Sequence, residues 1–199
     1  MPDYSPGGRN ETPQKLIDVA IELFGSNGFK GTSIRDIAKL TGMTISNIYY
    51  YFGNKDGLLL AILEYSSKRL LEKLHDVAAR DLEPLDRLSE LIRTHLSLVE
   101  VHKKEARIFF LDEEHLSPEG IKVNKEFQLQ ILNLYRNELE NLKSAGYIHY
   151  EHITILAFNI LGVINWHLRW YIPGGKMTLE ETNEEVLAFI LRGALAPPR

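Results

Sequence analysis

The sequence contains no cysteine among its 199 residues. This absence excludes disulfide frameworks, thiolate nucleophiles, Cys-ligated zinc and iron–sulfur clusters, and it suits a cytoplasmic protein. Long apolar runs are also missing. The longest, Ile153 to Trp166, is interrupted by polar residues and falls short of the roughly 20 residues that a membrane helix needs. Residues 1–10 lack the apolar core of an export signal and are expected to form a flexible arm, so no membrane partner is predicted.

Catalytic motifs are missing as well. The sequence has no nucleophile elbow, no phosphate-binding loop and no His-Glu-x-x-His pair. His149 with His152, and the run Asp112 to His115, do not reach the ligand count of a metal site. The sequence therefore predicts neither an enzyme nor a metal or cofactor site.

Apolar residues recur at helical spacing almost from end to end, whereas strand-like alternation is scarce. This pattern predicts an all-α protein. The predicted N-caps of the first four helices are Thr12, Ser33, Thr44 and Asn54. Gly28 and Gly42 are placed to end the first two helices. Five longer helices are predicted at about 84–102, 104–115, 118–144, 151–172 and 178–196.

Three short helices precede the longer ones. This order predicts a helix-turn-helix module over residues 11–55 and a helical bundle over residues 56–199. In the third helix, Ile48 and Phe52 can face a core, while the other side chains form a polar face without charge. Hydroxyls and amides on such a face can hydrogen-bond base edges or phosphate oxygens in a major groove.

The N-terminal residues also carry a family resemblance. Gly31-Thr-Ser-Ile-Arg-Asp-Ile-Ala38, Gly42-Met-Thr44 and Ile48-Tyr-Tyr-Tyr-Phe-Gly-Asn-Lys-Asp-Gly-Leu58 resemble the DNA-binding signature of the TetR family of bacterial transcriptional regulators. The resemblance implies an all-α homodimer in which each subunit joins a DNA-binding module to a bundle that holds an inducer. It therefore implies three partners, which are a double-stranded DNA operator, a second copy of the chain and a small molecule.

The resemblance also implies which side chains meet DNA. The implied set comprises Thr32, Ser33, Arg35, Thr44, Ile45, Ser46, Asn47, Tyr49, Tyr50 and Lys55. In this set Tyr49 and Lys55 contact phosphate, the first two hydroxyls contact phosphate at a helix N-terminus, and Arg35 reaches a base. Ile45 departs from the family, where this position is often polar or basic, and suits only an apolar contact such as a thymine methyl. Ordinary aromatic packing is the competing interpretation of the tyrosine run.

A second resemblance lies near the other end of the chain. The pattern Asn-Trp-x-x-Arg-Trp-Tyr-x-Pro-x-Gly from Asn165 to Gly175, followed by a helix start at Leu179, is similar to a branch of TetR-type regulators. That branch responds to acyl-coenzyme A thioesters and controls fatty-acid, sterol or aromatic-acid breakdown. Such a ligand needs an apolar tunnel, an aromatic face for adenine and cations near its phosphates. The predicted ligand-binding residues are Trp166, Arg169, Asn165, Arg107 and Arg136.

Other interpretations of this region stay open. Aromatic residues spaced by four usually pack, and the resemblance places a dimer interface on the last two long helices. The predicted interface residues are Gly162, Trp170, Tyr171, Phe189 and Gly193. The competing ligand is a lipophilic drug, as in regulators of efflux genes, with Glu105 and the acids of Asp112–Glu114 facing a cation. A helical-bundle enzyme or a protein-interaction module is the third alternative.

The net charge of −4 at first disfavours a nucleic-acid partner. Through residue 55, however, the chain has six Lys or Arg and five acids, a net of +1, and the remaining 144 residues have 17 bases and 22 acids. The acidic total therefore belongs to the predicted bundle. We predict a ligand-responsive repressor that is released from a palindromic operator by an acyl-CoA thioester and has modest non-specific affinity for DNA.

Overall fold

The computed structural model describes residues 11–101, 104–105, 108, 112–171 and 175–195. Within these ranges it contains eight α-helices with defined bounds and no β-strand, which confirms the predicted all-α class. The helices are α1 (Glu11–Gly31), α2 (Ile34–Thr41), α3 (Ile45–Phe52), α4 (Lys55–Ala78), α5 (Pro84–Val101), α6 (Pro118–Ser144), α7 (Ile153–Trp170) and α8 (Leu179–Ala194). No helix in these ranges is both long enough and apolar enough to cross a membrane.

The helix ends follow local chemistry that the sequence displays. Ser33 caps α2, and its hydroxyl and the Asp36 carboxylate form a reciprocal capping box. Gly42 closes the same helix in the left-handed conformation, with φ of 72°. Gly28, with φ of 76°, interrupts α1 where its end was predicted, although helical residues continue to Gly31. Of the predicted helix at 104–115, the described residues 104, 105 and 108 are helical, and a 3₁₀ turn covers Glu113–His115.

Contacts divide the chain into two compact units. The first unit comprises Met1–Lys68 and His102–Phe127, and the second comprises Arg69–Val101 and Gln128–Arg199. The division falls inside α4, later in the chain than the predicted boundary between residues 55 and 56. The reason is that the first half of α4 contributes fully buried side chains, including Leu58 and Ile62, to the core of the first unit.

The core of the first unit fixes the first three helices, of which α1 is longer than predicted at 21 residues and α2 and α3 are short. α1 contributes Leu16, Ile17 and Phe24, which are completely buried, and α1 packs on α2, which in turn packs on α3. Burying a leucine or phenylalanine side chain stabilises the fold by about 1.5–3 kcal/mol each. The Lys15 ammonium donates to the Thr41 carbonyl oxygen at 3.1 Å and so satisfies the C-terminal end of α2.

The second unit combines an apolar core, to which the end of α4 and helices α5, α6, α7 and α8 contribute, with two buried polar pairs. The Arg87 Nε donates to the Glu138 carboxylate at 2.7 Å, and both side chains are mostly buried. His95 Nδ1 and the Tyr135 hydroxyl share a hydrogen bond of 3.1 Å. Burial lowers the pKa of His95 to about 4, so this imidazole is neutral at pH 7.

Candidate functional site

The exposed face of α3 carries the side chains predicted to read bases. Ile48 and Phe52 are buried in the core of the first unit, and they hold one side of the helix against it. The exposed residues at the start of and along α3 are Thr44, Ile45, Ser46, Asn47, Tyr49 and Tyr50. Tyr50 is 83% exposed, and α3 contains no charged side chain. The structure thus presents a row of hydroxyl, amide and apolar groups to solvent on a rigidly held helix.

The start of α3 is fixed by its own cap. The Thr44 hydroxyl oxygen accepts a hydrogen bond from the Asn47 backbone N–H at 3.2 Å. This bond uses a lone pair and leaves the hydroxyl hydrogen available to an external acceptor. Thr44 is therefore able to cap the helix and to donate to a phosphate or base at the same time.

The polar groups at the N-terminus of α2 already form hydrogen bonds with one another. The Ser33 hydroxyl donates to the Asp36 carboxylate at 2.6 Å, and the same carboxylate accepts from the Ser33 backbone N–H at 2.9 Å. The hydrogen bond from the Ser33 side chain is the main reason that the pKa of Asp36 is lowered, with the backbone bond second. The lowered pKa favours the charged carboxylate beside the predicted phosphate site, and Arg35 is an exposed cation next to it.

Thr32 is unsuited to the phosphate contact predicted for it. Its side chain is buried, with only 2% of its surface exposed. Its hydroxyl lies 3.2 Å from the Leu23 carbonyl oxygen and 3.1 Å from the Gly28 carbonyl oxygen, and it donates to them. Because both the surface and the hydrogen of this hydroxyl are used internally, Thr32 stabilises the turn after α1 and does not face a ligand.

Lys55 is half-buried and does not extend freely into solvent. Its ammonium lies 4.1 Å from the centroid of the Phe29 ring and 6.0 Å from that of Phe24. Burial lowers the pKa of Lys55, and the charges of Asp56 and Asp112 oppose this effect. The ammonium therefore sits in an aromatic and acidic environment within the first unit.

Phe29 has two further partners that sequence reasoning missed. Its backbone N–H donates to the Asp112 carboxylate at 3.2 Å, and its ring stacks on His115 with 5.1 Å between the centroids. Asp112 is buried and engaged in this bond, so it is unsuited to the role suggested for it opposite a cationic drug. No signal in the sequence connects Phe29 to residues more than 80 positions away.

The second unit has an exposed apolar face on α7 and α8. Trp166 and Trp170 are 64% and 59% exposed, and their ring centroids lie 5.5 Å apart. An open groove of about 1240 Å³ runs along this face. Its lining includes Phe158, Gly162, Val163, Trp166, Trp170, Tyr171, Met177, Val186 and Phe189. Four of the five predicted interface residues thus line one surface.

The predicted ligand-binding residues do not come together in the same way. Trp166 lines the groove with the interface set, whereas Asn165, Arg169 and Arg136 are absent from its lining. Arg136 is exposed and donates to the Asn133 side chain at 3.2 Å. Arg107 lies outside the described residues. The structure therefore groups Trp166 with the predicted dimer interface, in a groove that neither Arg136 nor Arg169 lines.

Gly193 is the predicted interface residue that does not line the groove. It is exposed on α8, and its carbonyl oxygen accepts a hydrogen bond from the Tyr150 hydroxyl at 2.8 Å. Phe158 also lines this apolar face, although it was not among the predicted interface residues, and the composition of α7 could have indicated it. In α7 the first residue with a full charge is Arg169, so the helix is apolar on its outer side as well as on its core side.

Two family models match the chain. The one described as "Bacterial regulatory proteins, tetR family" matches residues 16–62, and "Tetracyclin repressor-like, C-terminal domain" matches residues 81–194. Among curated proteins, the HTH-type transcriptional repressor KstR2 of Rhodococcus jostii is 26% identical over 198 residues, covering 98% of this chain and 97% of that protein.

Solved structures share the fold. The crystal structure of AibR in complex with isovaleryl coenzyme A and operator DNA matches with a TM-score of 0.80 at 24% identity, covering 94% of this chain and 100% of that one. FadR from Bacillus subtilis in complex with stearoyl-CoA matches with a TM-score of 0.80 at 22% identity, covering 90% and 98%. At these identities the likeness establishes the arrangement of helices alone.

Proposed function

Because the chain belongs to the tetR family of bacterial regulatory proteins, as its N-terminal residues predict, we propose that it represses transcription from a palindromic operator and is released by an acyl-CoA thioester. Membership of this family makes the chain a regulator and not an enzyme. The observation that carries the proposal is α3, which buries Ile48 and Phe52 and exposes an uncharged row of side chains suited to a major groove.

The proposed DNA contacts fall into two classes. Ile45, Ser46 and Asn47 lie on the exposed first turn of α3, where an apolar group, a hydroxyl and an amide can meet base edges. Tyr49 and Tyr50 contact phosphates or the groove wall and set the position of the helix. For the exposed Arg35, at the start of α2, we propose a phosphate contact in place of the base contact that the family resemblance implies. Because the proposed DNA contacts include few cations, the specificity of the protein for its operator depends on hydrogen bonds and apolar contacts more than on charge.

A homodimer supplies the second recognition helix. An exposed apolar face rimmed by polar residues marks a protein interaction site, and the face on α7 and α8 runs from Phe158 to Trp170 and across to Phe189. A second copy of the same face is its natural complement, because a two-fold axis pairs identical patches. Two such subunits read a palindrome when their recognition helices are about 34–36 Å apart or a helical multiple of that distance.

The inducer class is supported by the relatives. KstR2 is named as a repressor, and the AibR and FadR structures contain isovaleryl coenzyme A and stearoyl-CoA. For this chain we propose the same ligand chemistry, with an acyl group in an apolar interior and cations such as Arg136 or Arg169 near the phosphates. We expect the ligand to prefer a dimer whose recognition helices have a different spacing. Its binding then shifts the dimer population away from the conformation that fits the operator. We place the protein and its operator in the cytoplasm.

The ligand class is tested by thermal unfolding with isovaleryl-CoA and stearoyl-CoA as probes. At a concentration one hundred times the Kd, a ligand stabilises the native state by about 2.7 kcal/mol, which raises Tm by roughly 5–10 °C. The matched controls are free coenzyme A, the free acids and cationic dyes. A shift with the dyes alone would support the efflux-type alternative and overturn the thioester assignment.

The DNA-binding assignment is tested with Arg35→Gln. The probe is a duplex that the full-length protein selects from a random-sequence pool, and its affinity is titrated by fluorescence anisotropy at several salt concentrations. We expect weaker binding and a salt slope smaller by about 1.8, because one phosphate contact, which contributes about 0.9, is lost in each of the two subunits. Lys122→Gln removes an exposed cation on α6 and should change neither quantity. If the wild-type chain selects no sequence from the pool, the proposed function is wrong.

A further inference from the structure

Asn124 is a buried polar residue of the first unit whose side chain has no hydrogen-bond partner. It lies on α6 with 1% of its surface exposed, and neither its Oδ1 nor its Nδ2 is hydrogen-bonded within the described part of the chain. Buried amides are ordinarily paired, because a donor or acceptor that leaves water without a new partner is costly. The side chain of Asn124 therefore calls for a partner that the described chain does not supply.

Other buried polar side chains of the first unit do have partners. The Thr41 hydroxyl donates to a carbonyl oxygen of its own helix at 2.8 Å, Thr32 donates to two carbonyl oxygens, and Asp112 accepts from a backbone N–H. The Ser66 hydroxyl is buried and unpaired, but a serine in a helix can rotate to the carbonyl oxygen four residues earlier. Asn124 differs, because a single carbonyl oxygen cannot satisfy both a donor and an acceptor.

The part of α6 around Asn124 does not belong to the apolar core of the first unit. Among the described residues, this core takes side chains from α1 to α4 and from Ile108 and Leu116, and none from α6. Val123 and Phe127 lie beside Asn124 on the helix surface, are only half-buried and are outside that core. One amide between apolar neighbours is the composition of a small-molecule site, in which few polar groups fix the orientation of the ligand.

The two polar atoms of Asn124 select the kind of group that completes them. A secondary amide offers a carbonyl oxygen to Nδ2 and an N–H to Oδ1, so it satisfies both atoms at once. A thioester carbonyl, a carboxylate or a phosphate offers acceptors alone and leaves Oδ1 unpaired. The acyl-CoA thioester proposed as inducer carries two secondary amides in its pantetheine arm, between the thioester and the nucleotide.

We propose that Asn124 binds a secondary amide of the pantetheine arm when an acyl-CoA thioester occupies the protein. This inference rests on the proposed function, because it names a residue and a ligand group for the inducer proposed there. It gives Asn124 a part in specificity. A free acid with the same acyl group has no amide and leaves the side chain unpaired, so the contact favours the coenzyme A thioester over the acid.

The experiment compares the wild type with Asn124→Leu, which keeps the branched shape of the side chain and removes both polar atoms. Calorimetric titration with isovaleryl-CoA should give a Kd about 5- to 150-fold higher for the variant, because two hydrogen bonds to the ligand are lost. The Tm of the ligand-free variant should not fall, since the removed amide has no partner within the described chain. Asn137→Leu makes the same change at an exposed position of α6 and should alter neither quantity.

A crystal structure of the wild type with isovaleryl-CoA tests the contact without a substitution. It should place an amide N–H of the pantetheine arm with its nitrogen about 2.7–3.2 Å from Asn124 Oδ1. Ordered water at both polar atoms, with no ligand amide, overturns the inference, and so does an unchanged Kd for Asn124→Leu. A wild type that binds no acyl-CoA is a different result, because the proposed inducer class has then failed first and the inference falls with it.

Discussion

Phe189→Glu is expected to convert the protein from a dimer into a folded monomer. Phe189 is 65% exposed on α8 within a single chain, so the fold of that chain does not depend on it. In the proposed dimer, the glutamate carboxylate would be buried against the apolar groove of the partner, and an unpaired buried charge is strongly unfavourable. Sedimentation equilibrium at equal protein concentration should give half the mass of the wild type.

The monomer should also lose the operator. Binding through two linked modules exceeds binding through one by about 100- to 10 000-fold, because the second contact forms at a high effective concentration. Anisotropy titration of the selected duplex should show a loss of this size for Phe189→Glu. The matched control is Ile121→Glu, which places the same charge at an exposed apolar position on α6. A Phe189→Glu variant that remains dimeric and binds normally would show that this face is not the interface.

The second large effect is expected from Arg87→Met in the second unit. This substitution leaves the Glu138 carboxylate, whose side chain is 7% exposed, without its 2.7 Å partner. It also leaves the Leu82 carbonyl oxygen without the bond it accepts from Arg87 at 2.9 Å. Removal of one member of a buried ion pair costs about 3–5 kcal/mol, and urea unfolding monitored by circular dichroism measures it.

The chain offers a matched control for this variant. Arg93 and Glu184 form an ion pair with Nε and Oε1 2.6 Å apart, but both side chains are nearly half exposed. Arg93→Met should therefore cost less than about 1 kcal/mol. The double variant Arg87→Met with Glu138→Leu should recover most of the lost stability, because no charge is then left unpaired. Equal losses for Arg87→Met and Arg93→Met would contradict this account of the buried pair.

The elements that sequence predicts well are those with local causes. Ser33 and Asp36 lie three residues apart, and Gly42 follows the same helix, so the bounds of α2 are set by neighbours in sequence. The split of α3 into a buried and an exposed side follows from helical periodicity in the same way. The helices of the DNA-binding module are therefore predictable from neighbouring residues alone.

Features that depend on contacts between residues far apart in the chain could not be predicted from the sequence. Thr32 resembles any exposed hydroxyl at a helix start, yet in the fold it is buried and donates to the carbonyl oxygens of Leu23 and Gly28. Lys55 keeps the family signature, yet its surroundings are set by Phe29 and Asp112, which pair across 83 positions. Trp166 belongs to a helix that is apolar on several sides, and periodicity cannot select the outer side.

The uncharged face of α3 has a consequence for how quickly transcription responds. Proteins with many cations at the groove are retained on bulk DNA and slide along it. Because α3 brings no cation to the groove and residues 1–55 carry a net charge of only +1, we expect a random stretch of chromosome to hold the proposed dimer only briefly and the operator to be reached mainly through solution. Promoter occupancy is then governed by the residence time at the correct site. We expect a ligand that shortens this residence time to switch the gene on within a single dissociation event.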